Sequence, residues 1–210
     1  MRKILVIGTG GLAREFTSWF KDNFKIVGYC SLNPTEHSQY GLPGVHFMGD
    51  DVTPALVGTS LAVLALGTPS IKYRLFKSYS GSGFSFPSII HPSSEVSDLA
   101  SLGEGVIVSP QCVISPNVTI KKLTYINFCC GIGHNATIGN YVQINPGAQL
   151  GGFSKIGDQV LIGSGSTVLE RVIVGNEATV ASGAVVFAKV ADKATVMGNP
   201  AKRMPFLEKQ

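Results

Sequence analysis

Every sixth residue of this chain is Ile, Leu or Val over a stretch of nearly a hundred residues. The series begins at Ile90, ends at Val186 and has no gap in seventeen positions. An α-helix has a period of 3.6 residues and a strand a period of 2, so neither alone explains one obligatory aliphatic residue in six. Short strands joined by corners do explain it, if three six-residue units complete one triangular coil. The sequence therefore predicts a parallel β-helix with these aliphatic side chains inside.

Two further positions of the six-residue unit have a restricted composition. The fourth residue after each aliphatic is small or β-branched, from Ser94 to Val190, as expected for a side chain that also points inward where space is limited. The residue directly after the aliphatic is often Gly or Asn, for example Gly103 and Gly133. Because these residue types tolerate positive φ, we expect the sharp corners at this position.

The first 88 residues have a different pattern, in which apolar strands alternate with helices. Strands are predicted at residues 3–7, 25–29 and 61–66, and helices at 12–20, 53–57 and 71–79. His37 and His46 fall in a long polar segment that we expect to be a solvated loop. Alternating strands and helices predict a parallel sheet. We therefore predict an α/β Rossmann-like domain over residues 1–88 and a β-helix domain with a C-terminal cap over residues 89–210.

A glycine-rich turn follows the first predicted strand. Gly8, Gly10 and Ala13 have the spacing of a loop that holds phosphate at a helix N-terminus, although a tight strand-to-helix turn would have the same composition. A dinucleotide site would have an acidic residue at the end of the second strand. Ser31 stands in that region and the nearest acid is Glu36, which is unfavourable for NAD. A dehydrogenase is therefore not favoured.

Composition limits the other classes of function. The net charge is +4, 14% of residues are charged and the basic residues are scattered, so we expect no nucleic-acid partner. The four cysteines include no C-x-x-C pair, so we expect no zinc held by thiolates. The apolar start stops at Gly8 and no stretch approaches about 18 apolar residues, so we expect neither a signal peptide nor membrane insertion. We predict a cytoplasmic protein.

His134 is the one histidine inside the repeat and the strongest candidate for catalysis. It follows Ile132 by two residues, outside the inward positions, and Gly131 and Gly133 flank it. Glycines let a ligand approach the backbone closely. Asn127 lies seven residues earlier, and we expect it to line the same edge as His134. The alternative is an inert surface histidine.

The whole chain resembles the left-handed β-helix acyltransferases, which have the hexapeptide repeat. More narrowly, it is similar to the sugar O- and N-acetyltransferases of bacterial glycan synthesis, of the sialic-acid-associated, bacillosamine-pathway and perosamine N-acetyltransferase type. The repeat and His134 carry this resemblance together with the segments Gly8-Thr9-Gly10-Gly11, Ala65-Leu66-Gly67, Ile90-His91-Pro92 and Pro200-Ala201-Lys202-Arg203-Met204.

The resemblance implies a homotrimer with active sites at the subunit interfaces, and an acetyl-CoA-dependent N-acetyltransferase that acts on a nucleotide-linked amino sugar for surface glycans such as lipopolysaccharide O-antigen. It implies that His134 is the general base with Asn135 beside it, and that acetyl-CoA is the co-substrate without a metal. The residues that it assigns to the nucleotide sugar are Gly8, Gly10, Gly11, Leu12, Ser31, Gly67 and Asn127. Those that it assigns to acetyl-CoA are Gly152, Ser164, Ser182, Ala201 and Lys202.

Three departures from the family pattern keep other functions open. Asn135 replaces the usual Asp or Glu after the base, Leu12 replaces a His after the glycine loop, and acidic residues that contact the nucleotide base are missing at the end of strand two. An O-acetyltransferase and a non-catalytic sugar-nucleotide-binding protein remain alternatives. A zinc carbonic anhydrase on the same coil would need three histidine ligands, and the repeat contains one.

Overall fold

The computed structural model describes residues 1–49 and 52–204. The chain divides into two compact units, Met1–Pro87 and Ser88–Gln210. The first unit is an α/β sheet domain and the second is a parallel β-helix, so the predicted fold class is confirmed.

Unit 1 alternates strands and helices around a four-stranded parallel sheet in the order β3-β2-β1-β4. Its elements are β1 (Arg2–Ile7), α1 (Gly11–Phe20), β2 (Phe24–Ser31), α2 (Thr35–Gln39), β3 (Val45–Met48), α3 (Pro54–Val57), β4 (Ala62–Leu64) and α4 (Pro69–Gly81). The run Ile4–Ile7 is buried without alternation, as expected for a central parallel strand with both faces covered. Helix α1 buries Ala13, Phe16 and Phe20, which have the spacing of one helical face.

The polar segment after β2 is not the solvated loop that the sequence predicts. It forms α2 and the edge strand β3, which pairs in parallel with β2. His46 lies in β3, where its Nε2 is 2.9 Å from Ser31 Oγ, and its ring centroid is 5.4 Å from that of His37 in α2. Burial, and then the neighbouring His37, lowers the pKa of His46. The expectation for this segment is wrong because a short edge strand tolerates polar residues on its open side.

Unit 2 consists of two-residue strands, each formed by an aliphatic residue of the series and the residue before it. They are β5 (Ile89–Ile90), β6 (Glu95–Val96), β7 (Ser101–Leu102), β8 (Ile107–Val108), β9 (Val113–Ile114), β10 (Thr119–Ile120), β11 (Tyr125–Ile126), β12 (Gly131–Ile132), β13 (Thr137–Ile138), β14 (Gln143–Ile144), β15 (Gln149–Leu150), β16 (Lys155–Ile156), β17 (Leu161–Ile162), β18 (Thr167–Val168), β19 (Ile173–Val174), β20 (Thr179–Val180) and β21 (Val185–Val186), followed by β22 (Thr195–Met197) and β23 (Lys202–Arg203). The last strand is antiparallel to β22.

These strands form three parallel sheets, one on each side of the coil. Each residue from β5 to β18 pairs with the residue 18 positions further along, as Ile120 does with Ile138 and Ile126 does with Ile144. Three six-residue units therefore complete one coil, as the repeat predicts. The last coil is shorter, because β20 pairs with β22 at a spacing of 16 residues. The five-stranded sheet contains β13, the six-stranded sheet contains β12 and β15, and the eight-stranded sheet contains β11 and β17.

The interior of the β-helix contains both predicted inward positions. Every aliphatic of the series from Val108 to Val186 is buried, and so is every small inward residue from Val106 to Val190. Ile90, at the start of the series, is 42% exposed because its strand pairs with another coil on one side only. Burial of each aliphatic contributes about 1.5–3 kcal/mol before chain entropy is counted. Cys112 and Cys130 are free and buried inside the coil, where each thiol donates to a backbone carbonyl.

The corners differ from the prediction in one respect. Positive φ occurs three residues after the aliphatic, at positions such as Asn135, Tyr141 and Phe153, and not directly after it. The glycines directly after the aliphatic have another role, because they lie against the backbone of the next coil. A Cβ at Gly163 would be 2.4 Å from the nitrogen of Ser182.

Candidate functional site

Unit 1 has a cavity of about 430 Å³ at the carboxyl ends of its strands. Gly8, Thr9 and Gly10 form one wall, Ser31 and Glu36 come from the end of β2 and from α2, and further lining residues come from α4. Ligands of open parallel sheets bind at this edge. The structure thus brings Gly8, Gly10 and Ser31 together, as the sequence predicts.

The glycine turn keeps backbone exposed toward this cavity. Gly8 has a φ of +114°, and a Cβ there would be 2.9 Å from the carbonyl oxygen of Ala65, so only glycine fits. Gly10 precedes α1 as its N-cap and supplies no side chain to cap the helix. Backbone N–H groups at a helix N-terminus attract anions such as phosphate.

Glu36 corrects the expectation that an acidic residue is missing after strand two. Helix α2 carries Glu36 to the cavity wall, where Thr9 Oγ1 donates to its Oε2 at 2.9 Å. A carboxylate has several acceptor positions, so Glu36 can also accept from a ligand hydroxyl or N–H. The sequence identifies Glu36 as the nearest acid, but its place at the cavity could not be predicted because α2 was not predicted.

Helix α4 supplies lining residues that the sequence did not single out. Arg74 adds a cation to the cavity, and Ile71, Leu75 and Tyr79 add apolar surface. Tyr79 Oη lies 2.7 Å from Cys30 Sγ, and the thiol donates to the carbonyl of Gly49. The combination of one cation, one carboxylate and a largely apolar wall suits a phosphorylated ligand with a planar ring.

Three other residues predicted for the nucleotide sugar do not line this cavity. Gly11 begins α1, and Leu12 follows it on the same helix. Gly67 adjoins Leu12, since a Cβ at Gly67 would be 3.6 Å from Leu12 Cδ1.

In unit 2, His134 and Gly152 occupy the same corner in consecutive coils. His134 follows β12 by two residues, Gly152 follows β15 by two, and the two strands pair directly. A Cβ on Gly152 would be 3.0 Å from His134 Nε2, so the exposed imidazole lies against the backbone of a residue that has no side chain. The glycine therefore leaves room beside Nε2 for a reacting group.

Asn135 fixes the protonation pattern of this imidazole. Its Oδ1 lies 3.0 Å from His134 Nδ1. An amide oxygen can only accept, so Nδ1 donates to it, and in the neutral form of the ring the lone pair of Nε2 is free. Asn135 has a φ of +60°, a conformation that Asn tolerates better than most residues. A neutral histidine with a free Nε2 is suited to general-base catalysis.

A shallow groove of about 410 Å³ runs over the outer face of the six-stranded sheet beside this corner. Gly131, Gly133 and Gly151 form its floor, Gln149 lies across Gly131, and Glu170 stands at its far end. Because glycines replace side chains along this face, backbone groups are accessible beside His134. Such a groove can accommodate an extended chain.

The other residues predicted for acetyl-CoA lie at different places in the β-helix. Ser164 and Ser182 are exposed and stack at the corner that follows the eight-stranded sheet, where Gly183 N–H donates to the Ser164 carbonyl. Ala201 donates its N–H to Val185, and Lys202 is exposed in β23. Within a single chain, the four residues of this paragraph do not form one site with Gly152.

Asn127 is also at the corner that follows the eight-stranded sheet. Its side chain is buried, and its Oδ1 accepts from the N–H of Phe128 at 2.8 Å. The expectation that Asn127 and His134 line one edge of the same chain is wrong. Their separation of seven residues is longer than one six-residue unit, so they lie at successive corners of the coil.

Two negative observations apply to the part of the chain that the structure describes. Residues 1–49 and 52–204 contain no group of three or more His, Cys, Asp or Glu side chains placed to hold a metal ion. None of the helices in those residues has the length and hydropathy needed to cross a lipid bilayer.

Comparison with known proteins identifies the repeat and the fold. The family model of the bacterial transferase hexapeptide (six repeats) matches residues 135–169 and 153–188. No match was found among curated protein sequences. The acetyltransferase domain of PglB from Neisseria gonorrhoeae is 27% identical, with a TM-score of 0.88 over 97% of this chain and 100% of that chain.

Two further solved structures show the same two-unit fold with ligands bound. The PglB domain in complex with acetyl coenzyme A is 26% identical, with a TM-score of 0.84 over 97% of this chain and 99% of that one. A mutant of perosamine N-acetyltransferase from Caulobacter crescentus, in complex with CoA and GDP-perosamine, is 26% identical, with a TM-score of 0.64 over 97% of each chain.

The matched repeat and the β-helix fold support an acyltransferase of the hexapeptide-repeat class. Solved structures similar to this chain are sugar acetyltransferases, which supports the resemblance found in the sequence.

Proposed function

We propose that this protein transfers the acetyl group of acetyl-CoA to the amine of a nucleotide-linked amino sugar. The single observation that carries the proposal is the His134 corner, in a fold shared with the acetyl-CoA-bound PglB domain. There the imidazole lies against the backbone of Gly152, and its Nδ1–H tautomer leaves the lone pair of Nε2 free. Surface glycan synthesis in the cytoplasm, where acetyl-CoA is available, is the setting that we propose.

The reaction needs a base and a group that stabilises negative charge. The sugar amine attacks the thioester carbonyl, and His134 Nε2 accepts the proton that the nitrogen loses. The N–H of Gly152 stabilises the negative charge that develops on the carbonyl oxygen. When the tetrahedral intermediate collapses, the C–S bond breaks and CoA leaves as the thiol, for which the imidazolium can supply the proton. No acyl-enzyme is formed, so the cysteines have no role in this scheme.

The cavity of unit 1 is our proposed site for the nucleotide. Gly8 and Gly10 expose backbone toward it, Arg74 can pair with phosphate, and Glu36 can accept from the ribose or the base. Charge neutralisation by one arginine and a helix N-terminus suits a diphosphate.

The positions of the residues predicted to bind acetyl-CoA support our proposal of a homotrimer. Gly152 and the pair Ser164 and Ser182 lie at two different corners of one triangular coil. Three copies around an axis, with the corner of one facing another corner of its neighbour, would bring these residues together. The same arrangement would place Asn127 of one copy near His134 of the next.

Release of the CoA thiol, measured with a panel of acceptors, tests the proposal. The panel contains UDP-, GDP- and dTDP-linked sugars, each with an amine and with a hydroxyl at the same carbon. We expect release only with an amino sugar. Release only with hydroxyl acceptors would instead show an O-acetyltransferase. Binding of a sugar nucleotide without release for any acceptor would show a non-catalytic binding protein.

A further inference from the structure

Phe153 contacts the His134 imidazole from the next coil. The two rings are nearly perpendicular, with an interplanar angle of 86° and centroids 5.1 Å apart. Phe153 N–H donates to the His134 carbonyl at 2.9 Å. On Phe153 itself, the guanidinium carbon of Arg171 stands 5.1 Å from the ring centroid. Three consecutive coils thus contribute to one stacked arrangement of His134, Phe153 and Arg171.

The backbone at this position does not favour a phenylalanine. Phe153 has a φ of +58°, and a bulky side chain is uncommon in this left-handed region, whereas Asn and Gly tolerate it. The side chain is also 41% exposed, so it contributes little to the core. Neither the local conformation nor burial explains the aromatic ring, whereas contact with the imidazole does.

The hydrogen bond from His134 to Asn135 leaves one motion of the imidazole unrestricted. A single bond at Nδ1 sets the tautomer and one direction in the ring plane, but the ring can still tilt about that bond. The ring of Phe153 packs against the imidazole and opposes this tilt. Edge-to-face contact between aromatic rings is favourable and has a definite geometry.

We propose that Phe153 is a positioning residue, which keeps Nε2 of His134 directed at the space beside Gly152 where the acceptor amine must react. Arg171 covers a face of Phe153 and limits its movement. This inference rests on the proposed function of His134 as the general base.

Phe153→Asn separates positioning from folding. Asn suits the positive φ better than Phe, so we expect an unchanged or higher melting temperature. Because a small misplacement of a catalytic group is costly, we expect kcat to fall about tenfold while KM for acetyl-CoA changes less than twofold. Phe153→Tyr keeps the ring and should keep kcat. The matched control is Gln159→Asn, another left-handed position (φ of +57°), at a different corner.

A spectroscopic measurement tests the contact without activity. The ring current of Phe153 shifts the NMR signals of the His134 ring protons, which can be assigned by their loss in His134→Gln. We expect the shift to persist in Phe153→Tyr, disappear in Phe153→Asn and remain unchanged in Gln159→Asn.

The outcomes distinguish this inference from the proposed function. Wild-type kcat in Phe153→Asn, or an equal loss in Phe153→Tyr, would overturn the role of Phe153 while leaving His134 as the base. A wild-type protein inactive toward every acceptor would overturn the proposed function and the positioning role with it, even if the NMR shift were present.

Discussion

Nε2 of His134 lies 3.0 Å from the place that a Cβ on Gly152 would occupy. Gly152→Ala would therefore put a methyl group beside the lone pair that must accept the proton. We expect kcat to fall at least about tenfold, with a small change in melting temperature because the conformation of Gly152 is not left-handed.

A contrasting glycine gives the control for this prediction. A Cβ at Gly163 meets the backbone nitrogen of Ser182 at 2.4 Å, so Gly163→Ala should lower the free energy of unfolding by about 1–3 kcal/mol through overpacking. Equal losses of stability in both variants would contradict the role assigned to the space beside Nε2.

His134→Ala removes the proposed general base. We expect kcat to fall at least about a hundredfold, while the dissociation constant of acetyl-CoA, measured by calorimetry, stays within about twofold. His91→Ala is the control, since His91 bonds to Ser93 near the start of the β-helix and should keep wild-type kcat. Turnover like that of the wild type in His134→Ala would exclude His134 as the base.

Asn135 can be tested with two variants that both tolerate its positive φ. Asn135→Asp keeps an acceptor at Nδ1 and adds a charge that stabilises the imidazolium, so kcat should stay the same or rise. Asn135→Gly keeps the backbone and removes the acceptor, so we expect kcat to fall about tenfold. A collapse of kcat in Asn135→Asp would show that the amide group itself is needed.

Arg74 is the residue of unit 1 whose loss should weaken nucleotide binding. We expect Arg74→Ala to raise the dissociation constant of a nucleoside diphosphate about tenfold, because a charge-assisted contact with phosphate is lost. Lys77→Ala is the control on the same helix, since Lys77 stacks on Tyr73 and does not line the cavity. The effect of Arg74→Ala should shrink at high salt.

The buried side chain of Lys72 leads us to expect that the stability of the protein depends on pH. Its side chain is 1% exposed, and burial lowers its pKa from 10.5 to about 7. Between pH 7 and pH 10.5 the unfolded chain therefore holds a proton that the folded chain has released. The free energy of unfolding contributed by Lys72 thus rises with pH across this window, is complete above pH 10.5 and is lost as the pH falls toward 7.

Lys72→Met removes this titration, so urea unfolding between pH 7 and pH 10 should depend less on pH than in the wild type. Lys77→Met, which changes an exposed lysine of the same helix, should keep the wild-type slope. Identical slopes for wild type and Lys72→Met would mean that Lys72 keeps its ordinary pKa in the folded protein.

The β-helix could be predicted almost completely from the sequence because its register follows from counting. One aliphatic residue in six fixes the inward face, and three units per coil fix pairs such as Ile120 with Ile138. The left-handed positions could not be predicted in the same way. They carry residues as different as Leu123, Tyr141 and Arg171, so composition gives no signal there.

The part of the candidate site that lies in the repeat was predictable, because the place of a residue in the repeat determines its place in space. His134 and Gly152 are 18 residues apart and must stack, whichever side chains they carry. The cavity of unit 1 was less predictable, because Glu36 and Arg74 reach it from helices whose placement depends on packing. Phe153 was missed because an aromatic residue at a corner looks like ordinary surface.

The pairing of residues 18 positions apart from β5 to β18 also limits how a chain of this kind can change in length. A residue lost or gained within one of the two-residue strands would move every later aliphatic away from its inward position. Whole coils can be added or removed beyond the corner of His134 without that effect. We therefore expect length differences among such proteins to occur in steps of one coil, or as loops that leave and re-enter at the same corner.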